Sequence, residues 1–234
     1  MKLKRVGSVH CDVGASPLWD VMDQSLCFVD ITQALLWRYD PSRETFSKWK
    51  MQSMIGSLAL RENGGAVVAL QDGFHRFSFH NNTTAPLCKP RTDDGTHFDH
   101  GKVDRRGRFV AGTTPRSIKE AETPGRLYSL DATHRATELD DGFGITQGPC
   151  WSPDGATFYC ADRLAKTIYA YDYDLDTGIL SNRRVFADTT TFGGTPDGAW
   201  IPRAAYGSPF AEARRSCASS PTAASRASSS CLCR

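Results

Sequence analysis

Gly148-Pro149-Cys150-Trp151-Ser152-Pro153-Asp154-Gly155 runs directly into Ala156 to Cys160, where apolar residues alternate. An aromatic strand start, a tight Asp-Gly turn and a period-two strand together predict an antiparallel hairpin. Further on come Ile168-Tyr169-Ala170-Tyr171-Asp172-Tyr173-Asp174 and then Thr195-Pro196-Asp197-Gly198. The three tyrosines recur at strand period, so they are expected on one face of a strand. The Pro-Asp-Gly reads as the opening of the next unit.

Similar openings recur upstream: Ser16-Pro17-Leu18-Trp19-Asp20, Gly56-Ser57-Leu58-Ala59-Leu60 and His100-Gly101-Lys102-Val103-Asp104. Each is followed by a turn: Asp23-Gln24, Glu62-Asn63-Gly64-Gly65, Arg105-Arg106-Gly107. After the turns come short apolar strands at Ser25–Ile31, Ala66–Leu70, Arg108–Gly112 and Thr157–Ala161, then third strands at Leu35–Tyr39, His75–Phe79, Arg126–Leu130 and Thr167–Tyr173. A step of roughly 40–50 residues with four strands per repeat predicts an all-β fold of propeller blades. No helical apolar period of useful length interrupts it. In such a fold the openings face a shared axis, so polar residues far apart in sequence are expected to meet there.

The chain has 234 residues, 28 basic and 26 acidic, for a net charge of +2. That balance gives no reason to expect nucleic acid as a partner. Residues 201–234 hold five arginines against the single acid Glu212, so residues 1–200 are mildly acidic. Met1-Lys2-Leu3-Lys4-Arg5 is not followed by an apolar run, because Ser8, His10 and Asp12 interrupt it, and no stretch approaches the ~18 apolar residues of a membrane span. With eight scattered cysteines, the expectation is a cytoplasmic protein with free thiols. Cys231-x-Cys233 lacks zinc-finger spacing. Asp172-x-Asp174-x-Asp176 resembles the start of a calcium loop, but the sixth and twelfth positions are Thr177 and Arg183, where Gly and Glu are needed. A polar hairpin turn ending at Gly178 is expected instead.

The blade pattern stops just after Asp197. Residues 201–234 contain eight Ala and eight Ser and few strand formers. Two readings stand side by side: a Ser/Ala-rich disordered tail, or a shifted reading frame. Codons for Trp200 to Ser208 can be chosen so that, read two bases on, they give Asp-Ser-Ala-Gly-Cys-Leu-Trp-Val, a propeller strand–turn–strand. The organisation expected is therefore an incomplete propeller over 1–199, cut off after about four blades, and a tail over 200–234. Open sheet edges in such a chain favour instability or aggregation.

Several segments together resemble the senescence-marker-protein/gluconolactonase/regucalcin family of six-bladed propeller lactonases. They are Gly14-Ala15-Ser16-Pro17-Leu18-Trp19-Asp20, Cys27-Phe28-Val29-Asp30-Ile31, Gly101-Lys102-Val103-Asp104 through Gly112-Thr113, Gly125-Arg126-Leu127-Tyr128, Trp151-Ser152-Pro153-Asp154-Gly155, Tyr171-Asp172-Tyr173-Asp174 and Pro196-Asp197-Gly198. The resemblance implies hydrolysis of a sugar lactone or related cyclic ester, assisted by a divalent cation (Ca, Zn or Mn) held on the axis by a Glu, an Asn and an Asp. The cation would polarise the carbonyl and an adjacent carboxylate would deprotonate water. Here the Glu position is Ala15, the Asn position is Gln147, and the Asp position is retained as Asp197. A substrate-facing Asn is replaced by Asp99, an Arg two residues before it by His97, and His100 follows.

Three readings of this set remain open. Asp99, His97 or His100, Gln147 and Asp197 could form a new cation or acid–base site, with Asp197 and Gln147 as metal ligands. A metal-independent lactonase could use Asp197 or Asp99 as general base with His97 or His100 as partner, and Asp99, His97, His100 and Gln147 would surround a small-molecule lactone. Or the scaffold is a non-catalytic ligand- or calcium-binding propeller. No Gly-x-Ser-x-Gly elbow and no Walker loop occurs in the sequence.

Overall fold

The turns noted in the sequence fold each strand back on its predecessor. The computed structural model describes residues 5–90, 95–117 and 123–199. Four antiparallel four-stranded meanders result, each in simple chain order. The first holds β1 (Gly14–Asp20), β2 (Ser25–Asp30), β3 (Leu35–Asp40) and β4 (Thr45–Lys50). The second holds β5 (Ile55–Leu60), β6 (Ala66–Leu70), β7 (Gly73–Ser78) and β8 (Thr83–Cys88). The third holds β9 (Thr96–Val103), β10 (Phe109–Pro115), β11 (Gly125–Leu130) and β12 (Ala136–Phe143). The fourth holds β13 (Thr146–Trp151), β14 (Thr157–Asp162), β15 (Thr167–Tyr173) and β16 (Leu180–Asp188). This is the all-β, blade-by-blade architecture expected from the repeats.

The first strands of the four sheets lie at the centre. β5 packs on β9 and β1, β9 packs on β13, and β1 also reaches β9. Between successive sheets lie three apolar clusters. Val29, Leu36, Ile55, Val68 and Phe77 join blades one and two. Phe74, Phe98, Phe109 and Tyr128 join blades two and three. Val110, Leu127, Phe143, Phe158 and Tyr171 join blades three and four. Tyr169, Tyr171 and Tyr173 all contribute to that last cluster, as strand alternation requires. The phenols stay satisfied: Tyr171 Oη donates to Asp140 at 2.6 Å and Tyr173 Oη to Asp104 at 2.6 Å.

The Asp172–Asp176 segment is a hairpin turn. Asp174 Oδ1 accepts the amides of Asp176 and Thr177, Gly178 takes φ +78°, and Asp172 pairs with Arg184. All five cysteines among the described residues are reduced thiols. No helix among those residues is long and apolar enough to cross a membrane. Residues 5–9 form no strand. After β16 the chain makes a short 3-10 turn at Thr190–Phe192 and runs without regular structure from Pro196 to Ala199. The expected tail at 200–234 lies outside the described residues.

Candidate functional site

Each of the four described central strands carries a register shift. In β1, Ala15 pairs with Val29 and Leu18 with Cys27, so Ser16 and Pro17 together face Phe28. In β9, Phe98 pairs with Thr113 and Gly101 with Ala111, so Asp99 and His100 together face Gly112. In β13, Gln147 pairs with Ala161 and Cys150 with Tyr159, leaving Gly148 and Pro149 opposite Cys160. In β5 the shift falls between Ile55 and Ser57, at Gly56. Such bulges bend a strand and re-aim its side chains. Here they fall on Asp99 and His100 and immediately after Ala15 and Gln147. Sequence reading missed the bulges, although Pro17 and Pro149 inside apparent strands were a signal, since proline in a central strand marks a bulge.

Close packing of the central strands fixes Asp99. Ser57 Oγ donates to Asp99 O at 2.8 Å, and Thr114 Oγ1 donates to Asp99 Oδ2 at 3.2 Å. A Cβ on Gly56 would come within 2.6 Å of Asp99 Cα, so only glycine lets blade two approach this closely. Thr146 Oγ1 donates to Thr113 O at 3.2 Å and ties blade four to blade three beside Gln147. Sequence reading assigned no role to Thr114, Thr146 or Ser57 (the last inside a blade opening), because each acts through a partner remote in the chain.

His100 stands between two carboxylates. Its Nδ1 lies 3.0 Å from Asp99 Oδ1, and its Nε2 lies 4.0 Å from Asp197 Oδ1. The Asp99 contact is a close, buried ion pair. The 4.0 Å separation on the other side is too long for direct bonding and lets one small oxygen atom touch both groups. Burial pushes the His100 pKa down, but Asp99 and then Asp197 outweigh it and hold the imidazole above its ordinary value. Asp99 is the converse case. Burial pushes its pKa up, while His100, His97 and the Thr114 hydroxyl pull it below the ordinary carboxylate value. Both shifts favour an Asp99 carboxylate beside a His100 imidazolium.

His97 differs. Burial, reinforced by Arg116, lowers its pKa despite Asp99, so the ring is neutral near pH 7. Its Nδ1 is buried with no hydrogen bond, and so is Oε1 of Gln147, which is 3 % exposed. Asp197 is half exposed on the segment after the last 3-10 turn. The backbone of that segment abuts Gly148, the residue after Gln147. Thus Asp99, His100 and Asp197 share one locus, His97 lies on the same strand within reach of Asp99, and Gln147 lies on the neighbouring central strand.

Among the described residues, the donor set does not fit the divalent cation that the resemblance implies. Ala15 offers no donor atom and packs instead against the apolar cluster between blades one and two. The described residues contain no group of three or more His, Cys, Asp or Glu side chains able to hold a metal ion. The orphaned Gln147 Oε1 could accept from a ligand, but the Asp197 carboxylate already faces the His100 imidazolium.

A family model, SMP-30/Gluconolactonase/LRE-like region, matches residues 13–204. Regucalcin of Xenopus laevis is 35 % identical over 205 residues, which cover 86 % of this chain and 69 % of that protein. Regucalcin of Agrobacterium tumefaciens, described as a calcium-binding protein, superposes with a TM-score of 0.77 at 22 % identity and covers 82 % of this chain. The match spans 65 % of that chain, so this protein corresponds to just under two thirds of it. A gluconolactonase of Xanthomonas campestris superposes with a TM-score of 0.67 at 18 % identity. Bladed sheets, bulged central strands and this match over most of the sequence place the chain in the SMP-30/gluconolactonase/LRE-like family.

Proposed function

We propose that this protein hydrolyses a lactone or related cyclic ester without a resident cation, using Asp197 as general base and His100 as the electrophilic partner. Membership of a family that includes gluconolactonases supports a lactonase-type hydrolase at the family level. The observation that carries the finer reading is the His100 imidazole between Asp99 and Asp197.

Asp197 accepts a proton from water as the water oxygen attacks the lactone carbonyl carbon. The carbonyl electrons move to oxygen, and the oxyanion accepts a hydrogen bond from the His100 Nε2–H. Asp99, anchored by Thr114, holds the imidazolium charge and its orientation. Collapse of the tetrahedral intermediate breaks the ring C–O bond, and the departing alkoxide takes the proton back from Asp197. Water has then added across the ester. A positioned base contributes about 10²–10⁴-fold, and a donor aimed at the oxyanion about 10²–10³-fold. Buried Gln147 Oε1 and His97 Nδ1 face no protein partner and would bind hydroxyl or ring oxygen functions of the substrate.

A pH-indicator assay across a lactone panel tests this, with chelator and with added Ca²⁺, Zn²⁺ or Mn²⁺. Turnover that survives the chelator and drops by about 10²–10⁴-fold in Asp197→Asn is the expected outcome. A flat panel under every condition would instead favour a non-catalytic ligand-binding propeller. Activity that appears only with an added cation would return the chain to the metal-assisted chemistry implied by the resemblance.

A further inference from the structure

We propose that Lys102 is a positioning residue, whose ammonium fastens the segment bearing Asp197 to the strand bearing Asp99 and His100. The inference rests on the reading of Asp197 as the base. Asp99 and His100 are held by the ladder of β9 and β10, whereas Asp197 lies on a segment outside the sheet ladders. Residues 196–199 belong to no strand, and only Thr195, just before them, makes an isolated bridge. A base outside the sheet must be placed by something else, because a misplacement of about 1 Å can cost about 10²-fold in rate.

Two contacts hold this segment against the central strands. Gly148, at φ +52°, lets the backbone of the segment lie against β13, where a Cβ would stand 2.9 Å from both Asp197 O and Gly198 C. On the other side Lys102 Nζ donates to Ala199 O. Lys102 is two residues beyond His100 on β9, so after the bulge both side chains leave the strand on the same side. Burial pushes the Lys102 amine pKa down, and the carbonyl gives the half-buried ammonium a charge-assisted bond. Asp197 is further steadied from within, since its Oδ1 accepts the Gly198 amide at 2.8 Å. Gly148 limits how near the segment can come, and Lys102 limits how far it can go. Nothing in the chemistry of ester hydrolysis requires the Lys102 amine to touch substrate.

The test compares Lys102→Met and Lys102→Arg in the full chain. Hydrogen exchange of the peptide covering 195–199 is read by mass spectrometry, together with kcat and KM for the lactone turned over fastest. Expected are faster exchange confined to that peptide in Lys102→Met and a loss of about 10²-fold in kcat, with KM nearly unchanged. Lys102→Arg, which keeps a charged donor, should restore both. Unchanged exchange in Lys102→Met overturns the proposal. So does faster exchange with an unchanged kcat, and so does an Arg variant as impaired as the Met variant. If the wild-type protein turns over no lactone, the function proposed above fails while exchange still decides whether Lys102 holds the segment. Should Lys102→Met fail to fold, Lys102→Gln, a shorter uncharged donor, is read in the same way.

Discussion

Around His100 the charges compete in a way that sets a pH range. Burial alone would neutralise the ring. Asp99 at 3.0 Å and Asp197 at 4.0 Å reverse that, while Lys102 opposes them weakly. A group whose pKa is raised by folding contributes stability that is complete below its unfolded value, about 6.5, and is lost as pH rises through the folded value. Asp99, lowered by folding, contributes above its unfolded value and loses that contribution as pH falls through the folded one. The charged pair therefore stabilises the protein most between the two. Lactone hydrolysis should accordingly decline on the alkaline side with an apparent pKa above 6.5, and His100→Gln should remove that limb while lowering kcat about 10²–10³-fold. A profile with the same alkaline limb in the variant would assign it to another group. The double change Ala15→Glu with Gln147→Asn supplies the two ligand types that the resemblance implies. It should confer Ca²⁺ binding detectable by calorimetry where the wild type shows none. Equal binding in both would mean that other residues hold the ion.

Among the elements, the second and third strands of each blade were legible because apolar alternation and Gly- or Asp-rich turns bound them. β15 begins and ends where the alternation of Thr167–Tyr173 placed it. The outer strands were not delimited by sequence, and their composition explains why. β4 (Thr-Phe-Ser-Lys-Trp-Lys) and β16 (Leu-Ser-Asn-Arg-Arg-Val-Phe-Ala-Asp) are largely exposed, so no buried face imprints a period. The candidate residues were legible as types at blade openings, but their geometry was not, because bulge positions depend on pairing with a neighbouring strand. Gly148 shows this dependence. Its left-handed backbone and its approach to residues 197–199 are both invisible in the sequence Gln-Gly-Pro. Gly148→Ala should cost the roughly 1–2 kcal/mol of a left-handed alanine plus the displacement of the Asp197 segment. Gly64, at φ +80° with no atom within 4 Å of the place a Cβ would occupy, supplies the control. Gly64→Ala should cost only the backbone term and leave kcat intact. Equal effects of the two substitutions in thermal denaturation and in turnover would remove the packing role assigned to Gly148.

At the scale of the molecule, the site exists because neighbouring sheets are pressed together along apolar seams. Blades two and three meet through Phe74, which is fully buried with its ring 4.7 Å from Phe98 and 5.7 Å from Phe109. Phe98 immediately precedes Asp99, so the seam that holds the blades together also seats the strand that carries the Asp99–His100 pair. Truncating such a ring removes its transfer energy and leaves a cavity, together about 3–5 kcal/mol for Phe→Ala in a well-packed core. Phe74→Ala should therefore lower the denaturation midpoint strongly. It should also reduce turnover of the fraction that remains folded, because β9 loses its backing against β7. Met22, 90 % exposed in the first hairpin turn, is remote from every seam, and Met22→Ala should change stability by no more than about 0.5 kcal/mol. Chemical denaturation paired with active-site titration of the folded fraction separates the two effects of Phe74. If the folded Phe74→Ala protein turned over substrate at the wild-type rate, the seam would serve stability alone, and placement of Asp99 would rest on Ser57 and Thr114.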